Sequence, residues 1–177
     1  MKHGPNGLNT KDLISLSLYG LLLRKEYEDI SITDICKKAH ISRMTFYRYY
    51  DRKDDIFINY CDERFEEFFS EMQKINNLDS DDFFLLLFIF FKKYYRQLLI
   101  LKRAHKQMIL LKQFESYASY ILSRIKSTSK RFNFSNKVTV SYLAGGLLNV
   151  LMEWISTGLK ESPEFMRDSL IAIFENR

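Results

Sequence analysis

The side chains best suited to bind another molecule lie together in residues 42 to 50, Ser-Arg-Met-Thr-Phe-Tyr-Arg-Tyr-Tyr. These nine residues supply two guanidinium groups, three phenols and two aliphatic hydroxyls, and none of them is acidic. Arginine can donate two hydrogen bonds to guanine O6 and N7, threonine offers a hydroxyl or a methyl group, and tyrosine hydroxyls reach phosphate oxygens. The segment therefore has the composition of a surface that binds nucleic acid.

Helical spacing divides this segment into two faces. Phe46 and Tyr50 are four residues apart and would form an inward-facing pair. The outward-facing side chains on the same spacing are Arg43, Met44, Tyr47 and Arg48. A tyrosine-rich amphipathic helix is most often simply a packed helix, so DNA binding depends on the elements around it.

Two short helices joined by a tight turn would position the binding segment. Ser31 is a predicted N-cap with Asp34 three residues later, a variant of the capping box, and this helix should end near His40. Ser42 can cap the next helix only a few residues on. Histidine tolerates the positive φ that such a turn can require. The spacing is that of a helix-turn-helix.

The rest of the chain also has helical periodicity. With 6 glycines, 2 prolines and 46% hydrophobic residues, the composition favours an all-α fold, and no alternating strand pattern competes. We predict about nine helices. Besides the two above, a first helix is expected at 13–23, after Asn9 and Thr10. A helix of about five turns should follow an N-cap at Asp51. The remaining helices are expected at about 80–92, 94–103, 108–129, 137–158 and 163–175.

Residues 31 to 56, SITDICKKAHISRMTFYRYYDRKDDI, resemble the helix-turn-helix of the TetR family of bacterial transcriptional regulators. The Thr-Phe-Tyr-x-Tyr core and the later Lys53 match the family pattern at fixed offsets. His40, Met44 and Tyr50 depart from it, which affects the expected operator sequence and not the fold. The resemblance implies a helix-turn-helix DNA-binding domain over 1–52 and a helical effector-binding and dimerisation domain over 53–177.

The resemblance also implies a function and a set of contacts. The expected partner is a double-stranded DNA operator, and the expected activity is that of a repressor released by a small-molecule effector. Alternatively, a protein partner controls the regulator, as in the dihydroxyacetone-kinase regulators, which residues 140–166 loosely resemble. The implied DNA-binding residues are Ser31, Thr33, Ser42, Arg43, Met44, Thr45, Tyr47, Arg48, Tyr49 and Lys53.

A helix-turn-helix protein normally dimerises to place two recognition helices in successive grooves, so we expect a homodimer. Apolar residues at 3-4 spacing follow residues 140–154, and Gly145 and Gly146 within them suggest close approach to another helix, in a partner or in the same chain. The resemblance implies a four-helix bundle made by the last two helices of each subunit. The expected interface residues are Leu143, Gly146, Leu147, Val150, Trp154, Leu170 and Ile173.

Residues 92–137 contain twelve Lys or Arg residues and one acid, Glu115, which gives the segment a net charge of +11. One interpretation is a solvated basic surface. The other is a set of inward-facing cations beside aromatic and Met side chains that binds an anionic effector. The candidate effector-binding residues are Lys92, Tyr94, Tyr95, Arg96, His105, Met108 and Tyr117. Aromatic stripes are more often plain core.

Other functional classes find little support in the sequence. The longest apolar run, residues 83–91, is too short to span a membrane, and no signal peptide is evident, so a cytoplasmic location is expected. Cys36 and Cys61 have no metal-ligand spacing, and His3, His40 and His105 have no catalytic partner at motif spacing. We therefore expect no enzyme activity, no metal and no cofactor.

Overall fold

The structure, a computed structural model, describes residues 9–124 and 136–175, and every regular element in those ranges is an α-helix. The all-α prediction is confirmed. The helices are α1 Thr10–Leu22, α2 Ile32–Ala39, α3 Arg43–Tyr47, α4 Asp54–Gln73, α5 Ser80–Lys93, α6 Tyr95–Arg103, α7 Gln107–Arg124, α8 Lys137–Ser156 and α9 Pro163–Glu175. Predicted helix residues 125–129, the basic residues Lys126, Lys130 and Arg131, and His3 lie outside the described ranges.

Helix starts follow the local signals at most positions. Asn9 and Ser31 each accept a hydrogen bond from the third residue of the following helix, and each forms a capping box with an aspartate there. The prediction that Asp51 caps α4 was wrong. That helix begins at Asp54 without a side-chain cap, and Asp55 accepts hydrogen bonds from the backbone N–H groups of residues 51 and 52 at 3.1 and 2.8 Å. An acid inside the first turn therefore replaces the expected cap.

Left-handed backbone follows several of the helices, among them α2 and α8. His40 has φ 55° directly after α2, so it holds the tight turn that the sequence requires there. Gly158 has φ 84° two residues after α8, where glycine has no Cβ to oppose that conformation. The first of these turns sets the angle between α2 and α3.

A single apolar core joins the helix-turn-helix to the remaining helices. α1 packs on α2, α4 packs on both α5 and α7, α5 packs on α9, and α8 packs on α6 and α7. Ile14, Ile35 and Phe46 are fully buried where the first three helices meet. The recognition-helix candidate α3 is therefore a short projection on a packed scaffold.

α8 is the most apolar of the long helices. By length and composition alone, with a mean hydropathy of 1.4, it could cross a membrane, and this is weak evidence because core helices meet the same criterion. Only 33% of that apolar window is buried within one chain. The exposed side of α8 is apolar in its first half, at Val138 and Tyr142, and polar in its second half, at Asn149 and Glu153.

Candidate nucleic-acid interface and its link to the core

α3 has the two faces that its spacing predicts. Phe46 is 0% exposed and Tyr50 is buried beside it, with ring centroids 5.9 Å apart. The side chains on the opposite face are exposed. They are Arg43, Met44, Tyr47, Arg48 and Tyr49. Two cations, two phenols and a thioether thus share a solvent-facing surface that carries no acid from α3 itself.

Arg43 and Tyr47 form a pair on this exposed face. The Arg43 guanidinium carbon lies 5.9 Å from the centroid of the Tyr47 ring, one helical turn away. A hydrogen bond to Tyr47 also raises the pKa of Arg43. The guanidinium is therefore aligned along the helix and keeps its charge, a geometry suited to bidentate contact with an acceptor pair.

The small hydroxyl residues serve first as helix caps. The Ser31 hydroxyl donates to the Asp34 carboxylate at 2.8 Å and accepts from the Asp34 backbone N–H at 3.1 Å. Ser42 accepts from the Thr45 backbone N–H at 3.0 Å, and its hydroxyl oxygen lies 2.9 Å from that of Thr45. Thr33 is partly buried. These residues position α2 and α3.

Lys53, which the resemblance assigns to phosphate, is held within the chain. Its ammonium donates to the carbonyl oxygens of Tyr27 and Ile30, the latter at 2.8 Å, and lies 4.1 Å from the centroid of the Tyr27 ring. Burial lowers the pKa of Lys53. Lys53 therefore ties the α1–α2 connection to the start of α4, and a phosphate contact would have to compete with those carbonyls.

Lys106, between α6 and α7, extends this arrangement across the molecule. Its ammonium lies 3.1 Å from one oxygen of the Asp54 carboxylate, while the Tyr27 hydroxyl donates to the other oxygen. Lys106 also lies 4.6 Å from the centroid of the Tyr27 ring. We call Tyr27, Lys53, Asp54 and Lys106 the interdomain clasp. It connects the α6–α7 turn to the α1–α2 connection and to the start of α4.

The electrostatics of the clasp favour an ionised Asp54. Burial raises the pKa of that carboxyl, but hydrogen bonds from Tyr27 and Lys106 and the Lys106 charge outweigh burial and hold it below its usual value. Burial and the hydrogen bond to Asp54 raise the pKa of Tyr27. A second ion pair, Arg103 to Glu26 at 3.5 Å, spans the same boundary on the surface.

An aromatic cleft lies among α4, α5, α6 and α7. Its cavity volume is about 30 Å³, space for about two water molecules. The lining is apolar except at its α4 side. The lining residues are Tyr60, Cys61, Arg64, Phe65, Phe68, Leu87, Phe90, Phe91, Tyr94, Leu98, Leu110 and Phe114. A larger molecule could enter only if some of these rings moved.

Arg64 supplies the polar edge of the cleft. Its guanidinium lies 3.4 Å from a Glu67 oxygen and 5.1 Å from the centroid of the Tyr94 ring. The Tyr94 hydroxyl donates to Glu67 at 2.6 Å, and Lys93 lies 2.7 Å from the same carboxylate. The Arg64 Nε is buried and has no hydrogen-bond partner among the described residues. One unpaired donor is thus buried on a residue that lines the cleft, although the surface of the cavity itself is apolar.

The predicted effector-binding set does not assemble. Of its members only Tyr94 lines the cleft. Lys92, Arg96, His105 and Met108 are exposed. For Lys92 and Arg96 the reason is that a cation without a buried counter-charge keeps its water rather than enter an apolar core. Two further members have other roles: Tyr95 accepts a hydrogen bond from Arg96 at 3.3 Å, and Tyr117 stacks on Phe65 with centroids 5.3 Å apart. Within the described residues, the exposure of Lys92, Arg96 and His105 fits the interpretation as a solvated basic surface.

The expected dimer stripe on α8 is rotated. Trp154 is 2% exposed, faces Phe88 and donates from Nε1 to the Glu161 carbonyl at 3.0 Å, so it belongs to the chain's own core. Leu147 and Val150 are partly buried against that core, and Leu143 is partly exposed. The apolar residues of α8 follow more than one stripe, so their spacing does not by itself reveal which stripe faces inward.

The uncovered face of α8 lies about 100° from the expected stripe. Val138 and Tyr142 are 75% and 73% exposed, and no atom lies within 4 Å of a Cβ built on Gly145 or Gly146. Within the described ranges, the two glycines therefore do not serve a crossing inside the chain. On α9, Leu170 is buried while Phe165 and Ile173 are exposed. Gly146 and Ile173 remain on the uncovered surface; Leu170 does not.

The sequence reasoning missed Tyr27, Asp54, Lys106 and Arg64. Arg64 had a signal, since it is the one basic residue within the acidic stretch 62–67 of α4 and has Glu67 at i+3. Lys106 had none, because its partner Asp54 is 52 residues away.

Other reactive groups in the described ranges do not form a site. No group of three or more His, Cys, Asp or Glu side chains there could hold a metal ion. Cys36 and Cys61 are buried free thiols, and burial raises the pKa of Cys61 to about 12. A protonated, buried thiol is a poor nucleophile.

Two protein-family models match this chain, one in its N-terminal part and one in its C-terminal part. The family model "Bacterial regulatory proteins, tetR family" matches residues 20–60, which include α2 and α3. A second model, "Transcriptional regulator C-terminal region", of TetR-type regulators, matches residues 78–176, more than half of the chain. No curated protein matches the chain by sequence.

Solved structures share the fold at low identity. A Listeria innocua protein is 17% identical with a TM-score of 0.74, and the alignment covers 97% of this chain and 94% of that one. A Syntrophomonas wolfei protein described as a TetR-family regulator is 19% identical, with a TM-score of 0.64 and coverage of 94% and 93%.

A third solved structure is the dihydroxyacetone kinase operon activator DhaS, 19% identical with a TM-score of 0.60 and 93% coverage of each chain. These likenesses concern the fold, whereas the two family models together span the helix-turn-helix and most of the remaining helices. The chain belongs to the TetR family of bacterial transcriptional regulators.

Proposed function

We propose that two copies of this regulator bind a pseudo-palindromic DNA operator in the cytoplasm, and that an effector bound in the α4–α7 cleft releases them, as in a repressor. The observation that carries the proposal is the exposed, acid-free face of α3, with Arg43 aligned on Tyr47. A groove about 12 Å wide accepts one helix, and its base edges present acceptor pairs suited to arginine. No catalytic role is proposed.

The DNA-binding step is tested by selection of duplexes from random-sequence DNA, followed by fluorescence anisotropy with the recovered sequence. Arg43→Ala should weaken binding on the order of tenfold to a hundredfold and relax preference at one base position. Arg24→Ala, which changes an exposed arginine outside α3, is the control. Unchanged affinity and unchanged preference for Arg43→Ala would show that α3 is not the reading helix.

The second copy is proposed to cover the exposed face of α8 and α9. Val138, Tyr142, Gly146 and Ile173 are all exposed, and only 33% of the apolar window of α8 is buried within the chain. Adjacent glycines allow a partner helix to come close. A dimer that reads successive grooves has to present both α3 helices on one side.

The interdomain clasp is the proposed route from the cleft to the DNA. α4 lines the cleft with Arg64 and carries Asp54 at its first residue, so a shift of α4 moves both. Asp54 is tied to the α6–α7 turn by Lys106 and to the α1–α2 connection by Tyr27. An effector that prefers one position of α4 would thereby change the spacing of the two α3 helices.

The cleft supports one class of small effector. Its lining is aromatic, and Arg64 is already neutralised by Glu67, so the unpaired Nε donor suits a neutral acceptor better than it suits a strong anion. We propose an apolar or aromatic molecule with one hydrogen-bond acceptor. Screening such molecules by thermal shift, with Arg64→Met as the comparison, tests it: a stabiliser that loses its effect in that variant supports the class.

A protein partner is the second candidate for control, and a specific observation favours it. The cleft holds only about 30 Å³, too little for most metabolites without movement of the rings. A protein of similar fold, DhaS, is described as an operon activator. That this chain represses rather than activates transcription is therefore also a proposal. Size-exclusion of native extract with mass spectrometry of co-eluting proteins distinguishes the two: a stoichiometric partner that changes operator affinity would replace the small effector.

A further inference from the structure

Met44 is the most exposed large hydrophobic side chain among the described residues, at 78%. It lies in the middle of the polar face of α3, next to Arg43 and one turn before Arg48. A single exposed apolar side chain is ordinary on a protein surface. Its place on the surface proposed to enter the groove makes it informative, because any bound duplex would cover it.

The chemistry of Met44 limits what can cover it. A thioether has no hydrogen to donate and accepts only weakly. If it were pressed against a guanine or adenine edge, acceptors such as N7 would lose their water without a replacement bond, which is unfavourable. The major groove offers one apolar methyl group, the C5-methyl of thymine. An unbranched, polarisable side chain can adjust to contact that methyl.

The side chains next to Met44 on α3 are less available to contact a thymine methyl group. Arg43 is aligned with Tyr47 along the helix, and Phe46 is buried. The Thr45 hydroxyl lies 2.9 Å from that of Ser42, so it is engaged in the cap. Thr45 is partly buried and the Tyr47 ring is 45% exposed, so Met44, at 78%, is the most accessible apolar side chain that α3 offers to a methyl group.

We propose that Met44 is a specificity-determining residue that contacts the C5-methyl group of one thymine in each operator half-site. The inference rests on the proposed DNA-binding function. Selectivity arises in two ways: thymine gains an apolar contact, and the other bases at that position lose hydration without compensation.

The experiment compares thymine with deoxyuridine, which lacks only the methyl group. A duplex recovered by selection with the wild-type protein is resynthesised with each half-site thymine replaced in turn, and affinity is measured by anisotropy at fixed salt. One position per half-site should weaken wild-type binding about three- to tenfold, as expected for loss of a buried methyl. Met44→Ala should bind the thymine and uridine duplexes equally at that position.

Two further variants sharpen the test. Met44→Leu keeps an apolar side chain of similar size and should retain the uridine penalty. Leu23→Ala removes another exposed apolar side chain, outside α3, and should leave the penalty unchanged. Retention of the full penalty by Met44→Ala, or selected half-sites with no methyl-sensitive thymine, overturns the proposal while DNA binding stands. Failure of the wild type to select any sequence overturns the proposed function as well.

Discussion

The Lys106 ammonium and the Asp54 carboxylate, 52 residues apart in sequence, lie 3.1 Å from each other where the start of α4 meets the α6–α7 turn. Both side chains are partly exposed, at 25% and 36%. An ion pair of this exposure contributes little to stability, at most about 1 kcal/mol. Its importance lies in position, since Asp54 also accepts from Tyr27 and starts the helix that lines the cleft.

Lys106→Met should therefore affect DNA binding more than folding. The variant keeps the apolar stem but removes the charge, so α4 loses its tie to the α6–α7 turn. We expect operator affinity to fall about three- to tenfold, with a loss of at most about 1 kcal/mol in the free energy of unfolding. Anisotropy and urea unfolding measure the two quantities.

Lys112→Met provides the matched control, because Lys112 is an exposed lysine on α7 away from the clasp. It should leave operator affinity unchanged. Equal operator affinity for wild type, Lys106→Met and Lys112→Met would contradict a coupling role for the clasp.

The clasp also predicts how stability depends on pH. The pKa of Asp54 is lower in the folded protein than in the unfolded chain, so the ionised carboxylate stabilises the fold above the unfolded value of about 3.9 and that stabilisation disappears as pH falls through the folded pKa. Urea unfolding of wild type and Asp54→Asn should differ by a constant amount between pH 7 and 5. The difference should shrink below about pH 4; a gap that widened on acidification would mean that the sign is wrong.

Local sequence signals were sufficient for the helix-turn-helix. Ser31 and Ser42 cap their helices within three residues, and the burial of Phe46 follows from spacing alone. The clasp could not be predicted, because Lys106 and Asp54 meet only when the helices pack. Nor could the inward side of α8, since an apolar residue on any of its faces satisfies the same periodicity, and Trp154 was consequently placed on the wrong surface.

His40 provides a test of the turn between α2 and α3. Its φ of 55° is a left-handed conformation that costs a residue with a Cβ about 1 to 2 kcal/mol. His40→Gly should therefore stabilise the fold by about 0.5 to 1 kcal/mol after the extra entropy of glycine in the unfolded chain is subtracted. Lys37→Gly, inside α2, should instead destabilise it by about 1 kcal/mol. If thermal unfolding showed Lys37→Gly to be more stable than His40→Gly, the backbone at residue 40 would not be strained.

The exposed face of α8 predicts a specific way to separate the subunits. Tyr142→Glu would bring a carboxylate into the proposed interface, where it would be buried without a partner, so the protein should become monomeric at micromolar concentration. Ile89→Glu, which changes a side chain 48% exposed on α5, should leave the mass unchanged. Light scattering measures both. A wild-type protein already monomeric at that concentration would end the dimer proposal.

Trp154 then distinguishes dissociation from unfolding. Because its ring faces Phe88 at 5.4 Å and its Nε1 donates to Glu161 within the same chain, its surroundings do not depend on a second copy. Its emission should be blue-shifted in the wild-type dimer and should stay so in the Tyr142→Glu monomer, whose helical circular dichroism should be retained. Only urea should shift the emission to the red, as the core that holds the indole opens. If the emission moved red on dissociation alone, with helix content intact, Trp154 would lie at the subunit interface. The side of α8 that faces the partner would then differ from the proposed one by about 100°, the angle between adjacent helical positions.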